Sequence, residues 1–344
     1  MASIEPGNAV TNPPVGSDLA AAEDAVAAQA ARVARRNAIW TAIGRYGIIA
    51  MFVVMLIVFS VLKPDNFPTY DNAKAILQQA AILAVLGIGL TVVLVIREFD
   101  LSFEANAALS GAIAVQLLVN SGFPTALGVL AGILVGLVVG SANGLIVAYG
   151  RASAFIGTLA IASVAAGLNS MITDDKTVYG VPSSYLGLST TKILGIPLFI
   201  FISIACVIGI WALLKFTVFG RHAQAVGSNP VAAATAGVRT KEVRFAAFAI
   251  LGAMAGLAGV LITAQGGGSS PGNAAGVLLP VYTAAFLGLS ALGRGQFNAI
   301  ATYFGVIFIG TLQTGLTMLN QPSWIASVIT GSVLVAAVLI ARRQ

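Results

Sequence analysis

The chain has 344 residues, of which 58% are hydrophobic and only 9% charged, with a net charge of +6. An average soluble domain carries about 25% charged residues, and so few charges cannot cover a water-soluble protein of this length. The composition excludes a soluble enzyme and predicts one all-α domain solvated by lipid. The single cysteine, Cys206, and single histidine, His222, exclude an internal disulfide and Cys- or His-pair metal chemistry. No metal and no cofactor is expected.

In chain order, residues 1–16 are rich in Pro, Gly, Asn and Thr and read as disordered. The first 38 residues lack an apolar core of the secretory-signal kind, so no signal peptide is expected. From Ser17 the character changes: Asp18, Glu23 and Asp24 open an Ala-rich stretch that Arg32, Arg35 and Arg36 close, matching the helix dipole at both ends. Two readings stay open for it. One is a surface-lying helix anchored at the headgroups by Arg and Trp40; the other is a weakly ordered tail that only sets topology. The expected division is a cytoplasmic tail over 1–42 and a transmembrane domain over 43–344.

Charged residues punctuate the remainder. The stretches free of Asp, Glu, Lys and Arg are 46–62, 75–96, 105–150, 152–173, 193–214, 245–293 and 295–341. A helix needs about 20 apolar residues to cross the hydrocarbon core, so four of these stretches hold one crossing each. The other three hold two crossings, with turns at Asn120–Pro124, Gly266–Asn273 and Asn320–Pro322. The sum is ten spans, near 44–62, 71–96, 101–119, 123–148, 153–173, 194–216, 241–265, 276–292, 297–319 and 323–341. Ten crossings put both termini on one side. On this arrangement only Lys63, Lys74, Lys176 and Lys192 lie on one face, and the other fourteen basic residues share the opposite face. The bias makes that opposite face cytoplasmic, with 174–192 outside and the 217–240 loop inside. The same distribution explains the positive charge through membrane orientation, and no nucleic-acid partner is expected.

Two features of the spans bear on mechanism. Gly128, Gly132, Gly136, Gly140 and Gly144 recur every fourth residue of span four, leaving one helix face without side chains for a close neighbour. No Asp, Glu, Lys, Arg or His falls in the middle of any predicted span, which disfavours an autonomous ion-coupled pump. The chain also has no Gly-Lys pair, hence no phosphate-cradling Walker A loop of its own. Energy should therefore come from another subunit. An enzyme is not expected, since Glu98, Asp100 and Glu104 read as an interfacial group that caps and solvates.

The loop Phe219-Gly-Arg-His-Ala-Gln-Ala-Val-Gly-Ser-Asn-Pro-Val-Ala-Ala-Ala-Thr-Ala-Gly-Val-Arg239 is too polar to span. Asn229 and Pro230 predict the cap and first residue of a short helix that Gly237 stops. The segment resembles the coupling loop of ribose-type ABC importer permeases, with Gly220, Arg221, Ala225, Gly227, Asn229, Ala232, Ala233 and Gly237 at matching positions. Phe99-Asp100-Leu101-Ser102 with Ala108-Leu109-Ser110-Gly111, Asn143-Gly144-Leu145 and Phe155-Ile156-Gly157-Thr158-Leu159 are similar to further signatures of that family. The likeness runs in order over about residues 43 to 343. The chain departs from the family at Arg97-Glu98, where relatives carry Gly-Gly, at Glu104, and at Gly288–Gly295.

The resemblance implies an all-helical permease subunit of about ten spans that imports a monosaccharide or related small polar solute through the inner or plasma membrane. It implies two cytoplasmic ATPase subunits, an extracytoplasmic binding protein and a second permease copy, identical or not. The 221–238 loop, with Arg221, Gly227, Asn229, Pro230, Ala233 and Gly237, is the expected contact with the ATPase. The small residues Ala232, Ala233 and Gly237 are expected to let it sit in a groove of that partner. Asn106, Asn143 and Asn169 are the amides able to bond a solute, or to join helices; joining is the preferred reading for at least two of them. Asp100 and Ser102 fit helix capping better than solute contact. The alternatives are a permease for nucleosides, autoinducer sugars or branched-chain amino acids, and, from another class, a stand-alone carrier or channel.

Overall fold

The computed structural model describes residues 26–35, 46–292 and 295–341. Residues 26–35 form an exposed helix. The rest of the expected tail segment, with Asp18, Glu23, Asp24, Arg36 and Trp40, lies outside the described residues, as do Arg45, Arg294, Arg342 and Arg343.

Ten apolar helices follow at the expected places. They are α1 (Ile48–Leu62), α2 (Tyr70–Val95), α3 (Phe103–Val119), α4 (Thr125–Gly144, continued by a π-helical turn over Leu145–Tyr149), α5 (Ala154–Thr173), α7 (Leu198–Phe216), α10 (Thr240–Gly266), α11 (Leu278–Ala291), α12 (Ala299–Met318) and α13 (Ser323–Ala341). Three short polar helices lie between them: α6 (Ser183–Thr190), α8 (Val218–Ser228) and α9 (Pro230–Thr235). Two two-residue ladders complete the described structure. β1 (Val178–Tyr179) pairs antiparallel with β4 (Gly268–Ser269), and β2 (Lys192–Ile193) with β3 (Ile196–Pro197).

Helices α2, α10 and α12 form the interior, while α4, α5, α7 and α13 show most of their surface outward. Exposed Leu, Val and Ile cover those outer helices, as a lipid solvent requires. The glycine face of α4 meets α10, which has its own glycines. A Cβ on Gly136 would fall on the Gly252 carbonyl oxygen and the Gly256 Cα, and one on Gly140 would fall on the Phe248 carbonyl oxygen. Backbone thus packs directly on backbone, the arrangement by which helices associate in lipid.

Two helices are shorter than the spans expected at 101–119 and 276–292. Helix α3 starts at Phe103, and α11 has 14 residues, about 21 Å at 1.5 Å per residue, too short for a core of about 30 Å. Segment 270–277 supplies the missing depth without helix. Asn169, one turn before the end of α5, donates to the Pro271 carbonyl (3.0 Å), and Glu104 accepts from Gly276 N (3.2 Å) and Leu278 N (2.8 Å). Glu104 shares a groove with Ala162 and Ser163 at the middle of α5. The chain thus turns back along the bundle, and Glu104, expected as an interfacial cap, accepts from this segment and borders the groove. Irregular backbone is tolerated at such depth where it lines a cavity.

Candidate functional site

Asp100, Leu101 and Ser102 form the turn between α2 and α3, which is held from three helices. Asp100 is 1% exposed. Its Oδ1 accepts from Ser102 N (2.6 Å) and Ser102 Oγ (2.7 Å), and its Oδ2 accepts from Asn143 Nδ2 of α4 (3.2 Å). Tyr282 of α11 donates its hydroxyl to the Asp100 carbonyl (2.7 Å) and accepts from Asp100 N (3.1 Å). Thr158 of α5 accepts from Leu101 N at 3.0 Å. Ser102 stands at the N-cap position of α3 but makes no side-chain cap bond. Its hydroxyl goes to the carboxylate, because a charge-assisted bond outcompetes a neutral cap.

The three amides have different surroundings. Asn106 donates to the Gly136 carbonyl (3.1 Å) and accepts from Ser110 Oγ (3.1 Å), and Asn143 belongs to the Asp100 turn. Both are sealed between helices. Asn169 alone of the three lines an opening. That opening is a groove of about 370 Å³ between α3, α5 and the re-entrant segment, lined by Leu101, Glu104, Ser163, Asn169, Ser170 and Pro271 among others. Asn169 is 2% exposed, and its Oδ1 has no hydrogen-bond partner.

A second opening of about 520 Å³ lies on the other side of the turn, between the end of α2, α8 and the 295–297 segment, lined by Val95, Arg97, Phe99, Gln224, Gly227 and Gln296 among others. Phe99 faces this cavity and Leu101 the groove, so Asp100 separates the two. Arg97 holds a left-handed φ of +58°, a conformation natural to glycine. Its neighbour Glu98 pairs with Arg244 at 3.2 Å. Burial pushes the Glu98 carboxyl up from its ordinary range, opposed by the Arg244 charge.

Helices α8 and α9 close this end. Gly227 lies against the end of α2 so tightly that a Cβ there would fall on the Val95 carbonyl oxygen. Asn229 Oδ1 caps α9, accepting from Val231 N and Ala232 N at 3.0 Å each, with Pro230 as its first residue. Gly237, at φ +86°, ends it: Gly237 N donates to the Ala234 carbonyl and Val238 N to the Ala233 carbonyl, a Schellman stop. Ala233, expected to face a partner, turns inward and is 5% exposed, because the short helix lays that side on the core. Val231 on the opposite side is 72% exposed. Arg221, Asn229 and Gly237 also lie exposed. Sequence reasoning missed Val231, since an Ala-rich hexapeptide carries no amphipathic pattern to orient it.

A lipid-solvated helical bundle with openings on both sides of one buried turn, capped at one end by short polar helices, is the build of a multi-pass permease. The chain belongs to the family described as branched-chain amino acid transport system / permease component, whose model matches residues 72–338. It is the membrane permease subunit of an ABC transport system, a transport component rather than an enzyme. It is 33% identical over 298 residues to the ribose import permease protein of Bacillus subtilis, covering 86% of this chain and 92% of that one. The L-arabinose ABC transporter permease protein of Azospirillum brasilense is 30% identical over 304 residues, 88% of this chain and 89% of its own. The D-allose transport system permease protein of Escherichia coli is 28% identical over 298 residues, 87% and 91% of the two chains. No solved structure matches significantly.

Proposed function

We propose that this permease imports a monosaccharide or related polyol, passing it from the groove at Asn169, past the Asp100 turn, to the cavity at Arg97. The observation that carries this reading is the pair of openings separated by a single turn, which alternating access needs. The relatives named for ribose, L-arabinose and D-allose support a sugar. The groove's hydroxyl and amide lining suits a hydroxylated solute. In this reading Asn106 and Asn143 hold helices in place, while Asn169 meets the solute.

The energy enters at α8 and α9, where cytoplasmic ATPase subunits dock on exposed Arg221, Asn229, Pro230, Val231 and Gly237, while buried Gly227 and Ala233 seat the two helices on the permease. A second permease copy completes the pathway, and an extracytoplasmic binding protein delivers the solute at the opposite end. Both termini are cytoplasmic. The clustering of Arg151, Lys241 and Arg244 around one recess at the α8–α9 end supports that orientation.

Deleting the chain from its host should abolish micromolar uptake of radiolabelled D-ribose, L-arabinose or D-allose, and the restored chain should recover it. Uptake should stop on ATP depletion and survive collapse of the proton gradient. Unchanged uptake of all three sugars overturns the sugar reading, and uptake that follows the gradient would give a stand-alone carrier. Orientation is read separately. Ser184→Cys in a Cys206→Ser background should react with an impermeant thiol reagent in intact cells; reaction only in inside-out vesicles inverts the assignment.

A further inference from the structure

We infer that Glu104 makes the groove a charge filter, admitting neutral and amine-bearing polyhydroxy solutes and rejecting carboxylated or phosphorylated ones. The inference rests on the groove being the solute pathway and adds the class of solute it selects.

Among the described residues, Glu104 is the one charged residue lining the groove, and no Lys or Arg lines it. The other acidic groups near this region are engaged differently. Glu98 has Arg244 beside it, and Asp100 is enclosed by hydroxyl and amide donors. Glu104 receives only the two backbone N–H groups of Gly276 and Leu278 at the start of α11. Two helix N-termini face Glu104, that of α11 and that of α3, in whose first turn it stands. Each offers about half a unit of positive charge that falls off within a turn, whereas the carboxylate's unit charge reaches across the groove. Low-dielectric walls focus its field on whatever enters.

The rest of the lining is consistent with this charge. Asn169 Oδ1 is a buried acceptor without a donor, on the same groove as Glu104. Buried acceptors are normally satisfied; Asn143 Oδ1 also lacks a donor but is sealed between helices, whereas Asn169 borders the groove, where a donor from outside the chain can reach it. A sugar hydroxyl or ammonium group supplies one; a carboxylate or phosphate dianion cannot, and it would also face the Glu104 charge.

The filter can be tested without the solute or the partner subunits. Ala166, which lines the groove and is exposed, is changed to cysteine in the full-length Cys206→Ser chain in membranes. Its modification rate is measured with a cationic reagent, trimethylammonium-ethyl methanethiosulfonate, and an anionic one, sulfonatoethyl methanethiosulfonate. Relative to a free thiol, the cation-to-anion rate ratio should rise about fivefold, as expected for a unit charge across a water-filled groove, and shrink at high salt. Glu104→Gln should return the ratio to the free-thiol value, while Glu104→Asp should keep it raised. A parental ratio equal to that of the free thiol overturns the filter, and it decides the matter even if Glu104→Gln fails to accumulate. A raised ratio that Glu104→Gln leaves unchanged also overturns it. If neither reagent reacts, the groove is closed to solution and the pathway reading itself fails.

Discussion

Val231→Glu should leave the permease in the membrane at parental abundance and abolish ATP-driven uptake. Val231 projects from the first turn of α9 with 72% of its surface exposed, so its replacement disturbs nothing inside the chain. An apolar side chain displayed on a capped, rigidly stopped helix is a docking anchor when a partner covers it. A carboxylate buried there without a counter-charge costs about 3 kcal/mol or more, which lowers docking affinity more than a hundredfold. Co-purification of the ATPase subunit and uptake should therefore be lost together. Ala233→Glu is the informative contrast. That side chain points into the permease core, so the variant should lose folded protein as well as transport. Normal uptake with Val231→Glu would remove α9 from the energy-coupling contact.

Gly136→Leu should deplete folded protein severely, as read by size-exclusion of the detergent-solubilised chain. Even the first carbon of a side chain at this position would fall on the Gly252 carbonyl oxygen. A flexible neighbour could rotate away from it, but the backbone of α10 cannot. Overpacking against mobile side chains costs about 1–3 kcal/mol, and a collision with main chain on both helices should exceed that range. Gly209→Leu on α7 is the control, since nothing lies within 4 Å of a Cβ there. It should accumulate normally. Equal yields from the two variants would mean that the α4–α10 contact does not hold the bundle together.

The spans were legible because lipid leaves no ambiguity: charged residues stop where hydrocarbon begins, and α13 occupies 323–341 as read from the chain. The fourfold glycine spacing announced a close contact, though not that α10 would answer with Gly252 and Gly256. The short helix α9 was legible from Asn229, Pro230 and Gly237, each of which acts on its own backbone. What stayed hidden depends on distant partners. Residues 274–279, Ala-Ala-Gly-Val-Leu-Leu, are apolar whether helical or extended, so composition could not show the re-entrant path. Nor could it show that Glu104 would be drawn inward by the N–H groups of Gly276 and Leu278, or that Tyr282 would bind the Asp100 backbone. The direction of each Asn amide is likewise set by a neighbour remote in sequence. An unusual acid beside a family signature was the only available signal for Glu104.

The ladder between β1 and β4 has a mechanical consequence. It joins the loop after α5 to the start of the re-entrant segment, Val178 opposite Ser269 and Tyr179 opposite Gly268. A few residues further on, the same segment is pinned to Asn169 and then to Glu104. The loop, the ladder and the segment thus form a continuous linkage, with one end at the bundle's outer rim and the other beside the Asp100 turn. A load on the rim would be passed along this bonded backbone to the deep end. In the proposed orientation, a protein seated on the 174–192 loop would touch one end of this linkage and act on the groove through the other.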